Sequence, residues 1–198
     1  MEIKKQEVAV LALHWLVDIV KPEGAFGPFF AEMVSKNNVI EQTAAVLNGA
    51  RLAGIPIFYT RVCFRPGYPD LIANNLLLSL VVEKDALVDG SPGASIISEL
   101  TPQGGEVIVS HCRLTAFYGT DLKTLLTKHS IKTLILTGVA TNVTVEGTAR
   151  EAINEGYQVI TLKDCCTADS DATHQASLST LQLLSHVATS EEFLDAIK

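Results

Sequence analysis

The sequence has no patch of clustered lysine and arginine. Its 15 basic side chains are outnumbered by 22 acidic ones, for a formal net charge of -7. That balance argues against non-specific binding to nucleic acid or to an anionic membrane surface. No apolar run reaches the length of a bilayer span. Four cysteines are present, Cys63, Cys112, Cys165 and Cys166, and none belongs to a C-x-x-C pair. Adjacent cysteines rarely bridge each other because the geometry is strained. Free, buried thiols in a reducing cytoplasm are therefore expected. Internal repeats, low-complexity segments and linkers are also missing, so one domain over 1–198 is expected. The start, MEIKKQEVAVLALHWLVDIVKPEG, is charged with an apolar middle, as in a signal peptide. No small-residue cleavage site follows and Asp18 closes the run, so a strand is expected instead.

What is there is apolar: 47% of the residues are hydrophobic, too many for a disordered chain. Short apolar runs alternate with helix-like stretches. Strands are expected at Val8 to Trp15, Ile55 to Val62, Glu106 to His111, Thr133 to Val139, Tyr157 to Asp164 and His186 to Thr189. Helices are expected over Pro28 to Ala53, with Gly54 as the stop, and over Thr120 to Lys128, capped by Thr120 or Asp121. Others are expected over Asn142 to Glu155 (ended by Gly156), Asp171 to Leu184 and Glu191 to Ile197. Val81 to Leu100 reads as irregular. Strands apolar on both faces, alternating with helices, predict a three-layer α/β/α Rossmann-like domain around a mostly parallel, roughly six-stranded sheet. Ligands in such folds bind beyond the C-terminal strand ends. That rule selects His14 and Trp15, Val62 and Cys63, His111 and Cys112, Val139 to Thr144, and Asp164 onward.

Several of these stretches, in order, resemble the isochorismatase-like hydrolases, a cysteine hydrolase superfamily that includes nicotinamidases and carbamoyl amidases. TLILTGVATNVTVEGTAR is similar to the family's strand, turn and nucleophile helix. TAFYGTDL (Thr115 to Leu122), FRPGYPD (Phe64 to Asp70), and Asp18 with PEGAFG (Pro22 to Gly27) match its neighbouring segments. The resemblance implies an Asp, a Lys and a Cys as catalytic residues. Here LALHWL places His14 at the Asp position, VIVSHCRLTAF places His111 at the Lys position, and GVATNVTV places Thr144 at the Cys position. All three catalytic positions are thus substituted within a preserved frame. The family's metal ligands, an Asp and two His after the second strand, have no counterpart in YTRVCFRPGYPD, where Asp70 is the one carboxylate. No metal site and no cofactor are implied. A homodimer or homotetramer is expected by analogy.

A helix N-terminus and a nearby lysine readily make a cysteine thiolate. The Thr144 hydroxyl needs instead a general base within about 3 Å. His14 is the first candidate and His111 the next. Without a nucleophile, the Val139-Ala140-Thr141 turn still offers backbone N–H groups to an oxyanion or carboxylate. A protonated His14 or His111 would then favour a small acidic ligand. Zinc on His14, His111 and Cys112 is disfavoured, because neighbours on a strand point to opposite faces. Trp15 and Phe117 are candidate pocket walls. Arg65 either meets an anion or pairs with an acidic neighbour, and His129, His174 and His186 read as ordinary. Two functions stay open. One is an impaired or inactive relative that keeps a small-molecule pocket. The other is a divergent hydrolase of a small amide, carbamate or enol ether, using His14 and His111 as acid–base groups.

Overall fold

Near-continuous apolar runs make the centre of the sheet. β1 (Val8–Leu13) is buried at every residue, and β4 (Thr133–Val139) at every residue but its first. They pair in parallel, Val8 opposite Thr133 through Leu13 opposite Gly138. β2 (Ile57–Val62) flanks β1, and β3 (Val107–His111) forms the edge beyond it. β3 alternates in burial as a one-sided strand does, with Ile108 facing outward. On the other side lie β5 (Gln158–Thr167) and β6 (His186–Ala188). The computed structural model describes residues 3–198, and its six strands form one sheet in the order β3-β2-β1-β4-β5-β6, all parallel. The chain winds outward from β1 through β3, then returns to start β4 on the other side of β1. The crevice between the ends of β1 and β4 is therefore the topological switch point.

Alternate residues of β1 divide the core. Val8, Val10 and Ala12 belong to one buried cluster, with Ile19 and Val20 of α1 (Val17–Val20), Val46, Leu47 and Ala50 of α3 (Val39–Leu52) and Phe193 of α8 (Ser190–Ala196). Ala9, Leu11 and Leu13 belong to the other. There they join Leu122 and Leu126 of α5 (Leu122–Lys128), Ala149 and Ala152 of α6 (Glu146–Asn154), and Leu178 and Leu181 of α7 (Asp171–Leu184). The expected α/β/α layers are thereby formed.

Several expectations need correction. The helix expected over Pro28 to Ala53 is two helices, α2 (Gly27–Lys36) and α3. Asn38, at φ 50°, breaks them in the left-handed conformation that asparagine tolerates. The stretch expected to be irregular, Val81 to Leu100, begins inside a helix and ends in a 3-10 turn (Ser98–Leu100): α4 (Leu76–Glu83) is capped by Asn75, whose side chain accepts the Leu78 N–H at 3.0 Å. β1 stops at Leu13 rather than Trp15. β5 runs on through Cys165 and Cys166, past a register shift opposite Leu136–Gly138. That extension puts Cys165 in one core cluster and Cys166 in the other. Adjacent thiols on opposite faces cannot bridge, and burial pushes both thiols up, away from thiolate.

Candidate functional site

β1 ends at Leu13, and the next residue turns out of the sheet. His14 has φ 57°, in the left-handed region, while its N–H still donates to Thr60 O at 3.1 Å. His111 is the last residue of β3 and reaches past the end of β2 toward it. The third residue, Thr144, lies in a short π-helical turn (Thr141–Val145) that joins β4 to α6. At the head of this turn the Val139–Ala140 peptide is cis. Gly138 allows β4 to press against β1 here. Its φ is 148°, and a Cβ would lie 2.4 Å from the Leu13 carbonyl oxygen.

Three residues far apart in sequence thus converge. His14 Nε2 lies 2.9 Å from His111 Nε2 and 3.4 Å from Thr144 Oγ1. His111 Nδ1 lies 2.9 Å from the Arg113 carbonyl oxygen. A carbonyl only accepts, so His111 Nδ1 carries a proton and the Nε2 of the neutral ring accepts. His14 Nε2–H must then donate to it, and Thr144 Oγ1 sits at the long side of the same N–H. The imidazole nitrogen beside the threonine is therefore a donor, not a base. Both rings are buried and held neutral. Burial is the main cause for His14, which lies well below its ordinary value, with His111 adding to it. Burial brings His111 down to about 4, partly offset by its bond to Arg113. A protonated histidine, the condition attached to an acidic ligand, is thus not met by either ring near neutral pH.

A cavity of about 90 Å³ opens beside His14 and Thr144, and His111 does not line it. His14, Val139, Ala140 and Thr144 form its floor. Its walls are apolar, from Ile19 and Phe26, from Phe30 on α2, and from Leu77, Leu78 and Val81 on α4. Arg113 also lines it, two residues past His111 in a stretch whose Arg had not been singled out. The signal was the neighbourhood: a cation beside a candidate site at a strand end. The other expected pocket residues lie elsewhere. Trp15 is fully buried in the first core cluster, and its indole N–H donates to Thr137 Oγ1 at 3.2 Å. Phe117 packs in the second cluster, its ring 6.0 Å from that of Tyr157. Neither Trp15 nor Phe117 lines the cavity. Thr141 turns away from it to His174, 2.8 Å from Oγ1 to Nδ1, so His174 braces the turn from α7. Arg65 takes the ion-pair alternative with Asp70, which also accepts the Arg65 backbone N–H. Cys112 packs against the first core cluster, and no group of three or more His, Cys, Asp or Glu residues among the described residues is arranged to hold a metal ion.

Asp18 holds the cavity's outer wall. Its carboxylate accepts the Ala25 N–H at 3.3 Å and the Leu87 N–H at 2.8 Å. Its own N–H donates to Gly93 O, and its carbonyl accepts from Phe26 N. Gly93 packs so tightly on this carboxylate that a Cβ would lie 2.3 Å from Oδ2. One side chain thus fastens the segment after β1 to two later loops and sets Phe26 and Leu87 against the cavity.

Comparison with known proteins identifies the family and the fold. The isochorismatase domain family matches residues 8–192. The chain is 40% identical over 106 residues to the uncharacterized isochorismatase family protein YwoC of Bacillus subtilis, covering 53% of this chain and 56% of that protein. It is 31% identical over 157 residues to the ureidoacrylate amidohydrolase RutB of Methylobacterium radiotolerans, covering 73% of this chain and 61% of that one. The chain thus spans little more than half the length of these relatives. Among solved structures, a cysteine hydrolase from Pseudomonas syringae pv. phaseolicola superposes with a TM-score of 0.90 at 26% identity, over 100% of this chain and 95% of that one.

Proposed function

The chain belongs to the isochorismatase family of hydrolases, and from that premise we propose that its cysteine-hydrolase chemistry is impaired or lost while a small-molecule pocket is kept. His14, His111 and Thr144 take the places of the Asp, Lys and Cys that the family resemblance leads one to expect. The direction of the hydrogen bonds carries this reading. With His111 Nδ1 donating to Arg113 O, the His14 nitrogen nearest Thr144 holds a proton. No base then faces the hydroxyl, and a hydroxyl cannot be ionised by a helix dipole alone. The pair also lacks the fixed positive charge that would stabilise a thiolate-like nucleophile.

A hydrolysis screen tests this. The purified chain is offered ureidoacrylate, maleamate, nicotinamide and simple carbamates, and ammonia release is followed. No turnover above buffer is expected. Turnover abolished by His14→Ala would overturn the proposal.

One observation favours a second reading, a divergent hydrolase. His14 Nδ1 has no hydrogen-bond partner among the described residues, and His14 lines the cavity. In the tautomer deduced above this atom is a free lone pair, placed to accept a proton from a water in the pocket. Burial makes it a weak base, far from the near-neutral value that suits general base catalysis. This reading predicts turnover lost in His14→Ala and retained in Thr144→Val, an outcome the first reading forbids.

A further inference from the structure

We propose that Arg113 is the anion anchor of the cavity, and that the pocket takes a small monocarboxylate with a short apolar body. The inference rests on the pocket of the proposed function and names the class of its ligand. Arg113 Nη1 is buried and has no hydrogen-bond partner among the described residues. Its guanidinium is in no ion pair with a described carboxylate. Arg51 shows the contrast. That half-buried guanidinium is forked onto both oxygens of Glu106, at 2.7 and 3.0 Å, and also reaches Asn48 and Tyr59. A guanidinium stays charged at any accessible pH and carries five donors. Leaving a buried donor unpaired is costly, and native proteins rarely keep one without a use.

The surroundings specify the partner. Among the residues lining the cavity, Arg113 is the one charged side chain, and no carboxylate competes for it. That is notable in a chain of net charge -7. Glu151 shares a shallower neighbouring depression with Arg113, but its carboxylate accepts the Thr115 hydroxyl. One unopposed cation matches one negative charge, and the planar fork matches a carboxylate. Both imidazoles are neutral, so the anion's charge is met by Arg113 alone. Phe26, Phe30, Leu77 and Val81 then take the ligand's apolar end. A volume of about 90 Å³ is smaller than the roughly 150 Å³ that accommodates benzene, which limits the apolar body beyond the carboxyl group to about three or four carbons.

The test uses isobutyrate, butyrate and isovalerate as probes, with isobutyramide as the neutral isostere, titrated calorimetrically into the full chain. Wild type is compared with Arg113→Met and Arg113→Lys; both keep the main-chain carbonyl that accepts the His111 Nδ1–H hydrogen bond. At least one carboxylate is expected to bind saturably to wild type and to lose about tenfold or more in Arg113→Met, with partial recovery in Arg113→Lys. Isobutyramide is expected to respond to neither substitution. Without ligand, Arg113→Met is expected to melt about 2–4 °C above wild type, because the unpaired donor is gone. Amide bound as tightly as acid by wild type overturns the anion anchor and leaves the pocket standing, and this comparison needs no variant to fold. Saturable binding of neither acid nor amide overturns both the anchor and the pocket. A clear drop in the melting temperature of ligand-free Arg113→Met also overturns the inference, by making the guanidinium a structural group.

Discussion

Acidification is expected to weaken the fold through the buried imidazole pair. Burial lowers His111 from an ordinary value of 6.5 to about 4. Unfolding returns the ring to water, where it takes up a proton below about 6.5. Between these two values the unfolded chain binds more protons than the folded one, so the free energy of unfolding rises with pH. The stabilisation is fully present above the upper value and is lost as the pH falls toward the lower one. At about 1.4 kcal/mol per pH unit, the window from 6.5 to about 4 amounts to roughly 3 kcal/mol for His111. His14 is shifted in the same direction and adds to the loss. His174, also lowered by burial, contributes with the same sign, but at a separate place behind the turn. The comparison that isolates the pair is wild type against His111→Gln, by urea titration at several pH values from about 7.5 to 4.5. The stability gap between them is expected to close by about 2 kcal/mol over that range. Curves that stay parallel would refute the argument, because they would mean that His111 is no harder to protonate in the fold than in water.

Three further outcomes follow from contacts already described. Asp18→Asn replaces an acceptor of two backbone N–H groups by a side chain with one acceptor oxygen and an NH₂. A cost of about 2–3 kcal/mol, or a fall of about 4–12 °C in Tm by calorimetry, is expected. An unchanged Tm would show that the clamp is not needed. Gly138→Ala drives a Cβ to 2.4 Å from the Leu13 carbonyl at the end of the β1–β4 pair, where the site begins. Loss of several kcal/mol and of soluble yield is expected; a variant that melts like wild type would contradict the close approach. Thr144→Cys alone is expected to show no amide hydrolysis and only slow alkylation by iodoacetamide, since the neighbouring ring nitrogen already carries a proton and cannot take one from the thiol, and burial opposes a thiolate. Robust ammonia release by that single variant would reverse the tautomer argument.

The parallel sheet was legible because its strands are apolar on both faces, and TLILTGV corresponds residue for residue to β4. The joint between α2 and α3 was hidden because Lys36, Asn37 and Asn38 interrupt the apolar spacing without a glycine or proline. α4 was hidden because LLLSLVV is apolar all round and lacks a helical stripe. At the site, the strand-end rule and the family resemblance together found His14, His111 and Thr144. They could not give the 2.9 Å imidazole contact, which depends on His111 reaching past β2. Trp15 is expected at the pocket because it follows His14, and Phe117 because it matches an aromatic of the resembled family's pocket. In the fold, the turn at His14 sends the indole into the core, and Phe117 takes a place beside Tyr157. Arg113 was overlooked because its importance lies in a missing partner, and a sequence records residues but not the bonds they fail to make.

The left-handed backbone at His14 also bears on how this pocket could be reshaped. Positions with φ near 57° accept asparagine, aspartate and glycine with little strain, and reject β-branched residues. Mutational libraries at position 14 should therefore be dominated by a narrow set of survivors, whatever activity is selected. Aspartate is among them on conformational grounds, and its carboxylate would stop short of the Nε2 atom that now meets His111. A single codon change at one turn would thus put a negative charge on a neutral pocket floor.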